Sequence, residues 1–245
     1  ADINLKSAQV GEKAGILVIA PCVGSTAMGP DNGLNLGYSL GSAVPGEAAI
    51  MAEFAYARLG KTATLFKDMS IAYTTSQCDA FEKRFKELGG TVKSSQEFNQ
   101  TQAGALDKPV TAQVAAAKND GAGVIALCSY PGGGAEALAA IRAGGIKTPV
   151  ISGFGMDGAF WSGAVPNLSN HYVVTYASVF GDDTNRRIRS ILNAFKKATG
   201  SSAATSGLIT GAAAVEAFAL AAKRAGSTDG KKLADEMNKF KDEDL

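Results

Sequence analysis

Apolar runs of strand character alternate with helix-period stretches along most of this chain. The runs fall at 15–20 (GILVIA), 62–67 (TATLFK), 91–97 (TVKSSQE), 122–128 (AGVIALC), 148–152 (TPVIS) and 172–178 (YVVTYAS), with a short one near 36–41. Between them the spacing predicts helices over 45–59, 74–89, 108–119 and 133–143. In 74–89, Phe81, Phe85 and Leu88 recur four and three residues apart, one face of a helix. Gly89-Gly90 and Gly144-Gly145 read as helix stops. From residue 62 a strand begins about every 30 residues, the size of a right-handed βαβ crossover. The runs 15–20 and 122–128 are continuously apolar, as parallel strands covered on both faces require.

After about residue 180 the rhythm changes. GDDTNRR is a polar break, and 184–199, 205–225 and 229–240 read as helices with no strand among them. Helices alone at the end of a chain belong to a sheet laid down earlier. The pattern therefore predicts an α/β protein of two doubly wound parallel-sheet lobes joined by a hinge. Residues 1–60 and 182–245 form parts of one lobe and 61–181 the other, with linkers near Gly60 and Gly181. One convincing strand is few for a doubly wound lobe, so the first lobe is expected to lack units at its amino end.

Composition narrows the chemistry. The chain has 245 residues, 24 Lys+Arg against 23 Asp+Glu, and a single His, His171. The balanced charge offers no footprint for nucleic acid or an anionic membrane. One His excludes metal sites built on two or more, and no cofactor is expected. A Ser-His or Cys-His pair would need His171, which precedes a strand at its amino end and reads as a surface residue. No apolar run approaches the roughly 18 residues of a membrane span; the longest, 211–222, is broken by Glu216. The polar start, ADINLKSAQVGEK, reads as helix and not as a signal peptide. Cys22, Cys78 and Cys128 are an odd number in no CxxC spacing. Cys22 and Cys128 read as small buried apolar residues at strand ends, with pairing to a residue upstream of residue 1 as an alternative.

Ligands of open parallel sheets sit beyond the carboxyl ends of the strands. Following the strands are Pro21-Cys22-Val23-Gly24-Ser25-Thr26, then Asp68-Met69-Ser70 with Tyr73-Thr74-Thr75, then Ser129-Tyr130-Pro131, then Gly153-Phe154-Gly155-Met156-Asp157. Hydroxyls, aromatics and small residues with few charges suit a small polar or amphipathic ligand held by backbone N–H groups. The same residue types also fill ordinary turns. Residues 153–158 match GxGxxG after a strand, but the acidic residue a dinucleotide site needs on the next strand is missing. Asp107-Lys108 and Asp182-Asp183 read as solvated loop charges.

Several stretches resemble the type I periplasmic solute-binding proteins of branched-chain amino acid ABC transporters. They are AGILVIAPCVGST; the strand with Asp68 and Tyr73 before a helix ending KELGG; VTAQVAAAKNDGAGVIAL; SYPGGGAEALAAIRAGGIKTPVISG; and GAAAVEAFALAAKRAGSTDGKKLADEMNKF. The resemblance covers nearly the whole chain, without that family's first βα units or its final crossover. It implies a clamshell with the ligand between the strand ends of two lobes. It further implies capture of a small amino acid, carboxylate or amide for delivery to an ABC permease. By position it assigns Cys22, Gly24 and Ser25 to the ligand carboxylate and Tyr73 and Tyr130 to aromatic walls; the strand-end reading adds Ser129 as a candidate. Where the family places an acidic partner for the ammonium, this chain has Phe154, with Asp157 three residues on. Either Asp157 substitutes, or the ligand lacks an ammonium and stacks on Phe154. A monomer outside the cytoplasm, binding rather than catalysing, is the expectation. A sensing domain of the same fold is the alternative, and a nucleotide-dependent enzyme is a more distant one.

Overall fold

The computed structural model describes residues 2–24 and 27–241. Its backbone contacts divide the chain into two compact units, Ala1–Ala43 with Tyr176–Leu245, and Val44–Thr175.

The second unit is a five-stranded parallel sheet flanked by helices. Its strands are β3 (Thr62–Asp68), β4 (Thr91–Phe98), β5 (Val124–Cys128), β6 (Val150–Ser152) and β7 (His171–Val173). They lie in the order β4-β3-β5-β6-β7, every neighbouring pair parallel. This is the doubly wound order whose direction reverses between the first and third strands, here β3 and β5. Helices α2 (Val44–Phe54), α3 (Ala72–Glu87), α4 (Thr111–Asp120) and α5 (Gly133–Ala143) complete the layers. One core sets Phe66, Ile125, Leu127 and Val150 against Leu138 and Ile141 of α5. The other sets Ala63, Leu65, Val124 and Ala126 against Ala48, Met51 and Ala52 of α2 and Phe81 and Phe85 of α3.

The pattern placed helix 45–59 with the first lobe. In the structure its small apolar face lies in the second unit, because Ala48, Ala52 and Ala55 let α2 approach the rings of α3 closely. The regular helix also ends at Phe54 and loosens into a π-turn over Ala55–Leu59. There Gly60 passes against Gly123, where a Cβ would sit 2.9 Å from the Gly123 backbone. The predicted strand 172–178 pairs only over His171–Val173, since β6 offers no longer partner.

In the first unit, β1 (Val18–Ala20) and β2 (Gly37–Ser39) form a two-stranded parallel sheet. Three further helices, α6 (Arg186–Thr199), α7 (Gly207–Ala225) and α8 (Gly230–Met237), follow the polar break as predicted. Ala217 and Ala221 of α7 and Leu233 and Met237 of α8 pack with Leu17, Ile19 and Tyr38. The amino-terminal segment is helical, α1 (Asp2–Ala14). Gly11 lets it rest on β1, since a Cβ there would strike the Val18 side chain. Among the described residues no helix is long and apolar enough to cross a membrane.

The cysteines depart most from expectation. Cys78 on α3 and Cys128 at the end of β5 are joined as a disulfide with Cα atoms 5.6 Å apart, both fully buried. Cys128 is therefore not the plain apolar residue expected, and Cys22, also expected to be buried, is exposed because it lies on the loop after the first strand. The separation of 50 residues between Cys78 and Cys128 leaves no local spacing signal in the sequence.

Candidate functional site

The carboxyl ends of β3, β5 and β6 carry most of the residues predicted to hold a ligand. Tyr73 lies in the first turn of α3, Ser129 and Tyr130 follow β5, and Phe154 and Asp157 bracket the short 3-10 turn after β6. These loops are tied together from beneath by two buried polar networks.

The first is centred on Asp68, fully buried at the end of β3. Its Oδ1 accepts from Ser70 N (2.9 Å) and Ser70 Oγ (2.6 Å). Its Oδ2 accepts from Gln100 Nε2 (2.6 Å) and Ser129 Oγ (3.0 Å). Gln100 Oε1 in turn accepts from Gly133 N at the start of α5 (2.9 Å). One carboxylate and one amide thereby join the ends of β3, β4 and β5 at the point where the strand order reverses. Ser129, 1% exposed, has its hydroxyl committed inward, donating to Asp68 and accepting from Gln100.

The second network is centred on Glu47 of α2, 3% exposed. Its Oε1 accepts from Tyr73 Oη (2.9 Å), Gln77 Nε2 (2.8 Å) and the backbone N–H of Phe154. Tyr73 Oη also accepts from Gly155 N (2.9 Å) and Gln77 Nε2 (2.8 Å). Burial holds the Glu47 carboxyl above the ordinary glutamate range, against the opposing pull of the Phe154 and Tyr73 hydrogen bonds. Burial first, then the Glu47 charge, pushes the Tyr73 phenol strongly upward. Tyr130 is half-buried and is raised by burial and by the Asp68 charge. A Cβ at Gly153 would strike Glu47 Oε1 and Gln77 Nε2, so a larger residue there would have to displace this network.

Asp157 is 8% exposed and accepts from Gly158 N (2.7 Å), so it closes its own turn. In the other unit Cys22 is exposed, with Sγ 3.2 Å from Thr210 Oγ1 of α7, and Gly24 is half-buried. Ser25 lies outside the described residues. His171 is not the surface residue expected. It opens β7 half-buried, with Nε2 3.0 Å from Ser152 Oγ and an edge contact to Trp161. Burial first, then the Arg142 charge, lowers its pKa to about 4. Glu47, Gln77 and Gln100 were not singled out from sequence. The one usable signal was Glu47, a lone acid facing inward among the small residues of 44–52.

A profile of the periplasmic binding protein family matches residues 1–245. The chain belongs to that family. A comparison with curated protein sequences returned no match. Among solved structures, this periplasmic binding protein is similar to a leucine-binding protein from Thermotoga maritima, with a TM-score of 0.79 at 21% identity. It is also similar to the branched-chain amino acid transporter substrate-binding protein of Streptococcus pneumoniae solved with isoleucine, with a TM-score of 0.80 at 18% identity. The alignments cover 96% and 97% of this chain and 65% of each of those chains. A periplasmic binding protein of type 1 from Bordetella pertussis aligns with a TM-score of 0.77 at 18% identity, over 98% of this chain and 67% of that one. These likenesses establish the fold as the α/β, parallel-sheet fold predicted from the sequence. The chain spans about 65% of the length of the first two structures. Among the described residues no cluster of His, Cys, Asp and Glu could hold a metal ion.

Proposed function

We propose that this chain is the ligand-capturing part of an extracytoplasmic solute-binding protein that passes a small amino acid, or a related carboxylate or amide, to an ABC permease. The observation that carries this reading is the rim of the second unit's sheet. Tyr73, Tyr130 and Phe154 stand half-buried around the strand ends, above hydroxyl, amide and carboxylate groups already paired with one another. Such a rim offers ring faces and backbone N–H groups to a small molecule, over a polar interior in which Gln77 Oε1 alone among these network groups is buried without a hydrogen-bond partner. Two buried carboxylates, Asp68 and Glu47, receive only neutral donors from the rim. Their charge favours a ligand that carries an ammonium. Cys22 and Gly24 of the other unit, with Ser25, are proposed to serve the ligand carboxylate. The disulfide suits an oxidising compartment, as an extracytoplasmic protein would meet. Binding rather than catalysis is also the role of the relatives.

Calorimetric titration with leucine and isoleucine, and with the corresponding acids lacking the amino group, tests the proposal. Saturable binding of the amino acids, weakened about 5- to 150-fold by Tyr130→Ala or Phe154→Ala, is expected from the loss of a buried ring contact. Equal binding of the deaminated acids would remove the ammonium from the reading. Unchanged affinity in both variants would remove the rim. Asp157→Asn should leave affinity nearly unchanged, since Asp157 already caps its own turn.

A further inference from the structure

At the opposite end of the same sheet, beside the amino ends of β6 and β7, lies a hollow of about 400 Å³ lined by Arg142, Lys147, Asn167, Ser169 and Asn170 among others. That volume is within the range of small-molecule sites. Arg142, near the end of α5, fastens two connections there. Its Nη1 donates to Ile146 O (3.0 Å) and Thr148 O (2.9 Å), and its Nη2 donates to Ser169 O (2.8 Å) and Asn170 O (3.2 Å). All four acceptors are neutral carbonyls, and the Nε is buried with no hydrogen-bond partner. No aspartate or glutamate lines the hollow, whereas Lys147 does. Lys118 lies close by, its Nζ donating to Gly144 O (3.0 Å). A half-buried guanidinium without a counter-charge is unfavourable, and carboxylates and phosphates are the groups its geometry accepts best.

We propose that this hollow binds a small oxyanion, which supplies the negative charge that the Arg142 guanidinium lacks, with Lys147 as the second cation. Asn167 and Asn170, both with left-handed backbone (φ 57° and 51°), fold the preceding loop around the opening and bring Ser169 to it. The site is remote from the rim along the strands and carries the opposite charge. Its electrostatics reach a natural reporter. The Arg142 charge is one of the two influences that lower the pKa of His171, the chain's only histidine. An anion beside Arg142 offsets that charge and shifts the imidazole upward.

The test uses the full chain at constant ionic strength, with inorganic phosphate, sulfate and acetate as probes and sodium chloride as the reference. Saturable heat of binding is expected, together with a rise in the His171 pKa above about 4 read from its imidazole resonances. Phosphate and sulfate binding without acetate binding would assign a tetrahedral dianion, and the reverse a carboxylate; either supports the site. Lys147→Gln removes an exposed cation without touching the Arg142 hydrogen bonds, and should raise Kd about two- to fivefold, the worth of one exposed charge pair. Tyr130→Ala, at the other end of the sheet, should leave probe binding unchanged. A titration indistinguishable from sodium chloride would overturn the proposal. So would binding that leaves the His171 resonances unmoved, or that is unaltered in Lys147→Gln.

Discussion

Breaking the Cys78–Cys128 disulfide should cost the second unit a large part of its stability. The bond closes a loop of 50 residues that runs from α3 through β4 and α4 to the end of β5. In the chain-entropy treatment, releasing a loop of that length favours the unfolded ensemble by about 4 kcal/mol at 25 °C. Folded domains have roughly 5–15 kcal/mol in all, so the reduced unit should be close to marginal. The cleanest comparison is between oxidised and reduced forms of the same chain, since alanine variants would add a cavity cost of their own. Both sulfurs are fully buried, so reduction is done in denaturant before refolding into reductant. The single tryptophan, Trp161, lies in the second unit at 7% exposure and reports its unfolding by fluorescence. With a urea m-value near 2 kcal/mol/M, the midpoint should fall by about 2 M on reduction. Alkylation of the oxidised chain in denaturant should label Cys22 alone. Coincident urea curves would refute the entropic argument, and labelling of three thiols without reductant would refute the bond itself.

Three other perturbations have defined outcomes. His171 is held to about 4 by burial and the Arg142 charge, below its ordinary 6.5, so its contribution is present above pH 6.5 and is lost as pH falls through 4. That contribution is roughly 3 kcal/mol, so His171→Asn should flatten the acid side of a plot of melting temperature against pH between those values. Asp68→Asn puts an amide hydrogen against one of the donors Ser70, Gln100 or Ser129, and should cost about 1–3 kcal/mol in urea titration. Gly132 has φ 99° and a Cβ there would strike Gly104 O, so Gly132→Ala should lower stability by about 1–3 kcal/mol in the same assay, whereas Gly163→Ala, in open space, should be mild.

What the sequence made legible follows from the range of the forces involved. Helix 133–143 coincides with α5 to the residue, because glycines mark both of its ends. The run of apolar residues in β5 is plain because the strand is buried on both faces. The rim loops could be located because the residues after each strand are set by chain direction alone. The rest depended on contacts distant in sequence. Cys78 and Cys128 carry no spacing signal across 50 residues. Nothing local in 44–59 tells that its alanines face Phe81 and Phe85 rather than β1. His171 was placed by its strand position, but its environment is made by Arg142, Trp161 and Ser152 from three other segments. Glu47 reads as one acid on a helix; only packing brings Tyr73, Gln77 and Phe154 N to it.

These distant ties change what the rim can recognise. Serine and tyrosine at strand ends suggested hydroxyls turned toward the ligand. The Ser129 hydroxyl is instead held between Asp68 and Gln100, and the Tyr73 hydroxyl among Glu47, Gln77 and Gly155 N. Turning either outward would strand a buried carboxylate or amide, at about 1–3 kcal/mol per unsatisfied group. The Ser129 and Tyr73 hydroxyls therefore serve as braces, and on the proposed reading Tyr73 would meet a ligand with its ring face. The braces also join separate loops: Gln100 links the ends of β3, β4 and β5, and Glu47 links α2 and α3 to the turn after β6. Loops fixed in this way lose little freedom when a ligand arrives, which favours affinity without added contacts. At the proposed site, a rim of ring faces over buried carboxylates would favour an apolar side chain beside an ammonium, and would disfavour a ligand whose side chain must be hydrogen-bonded at that point.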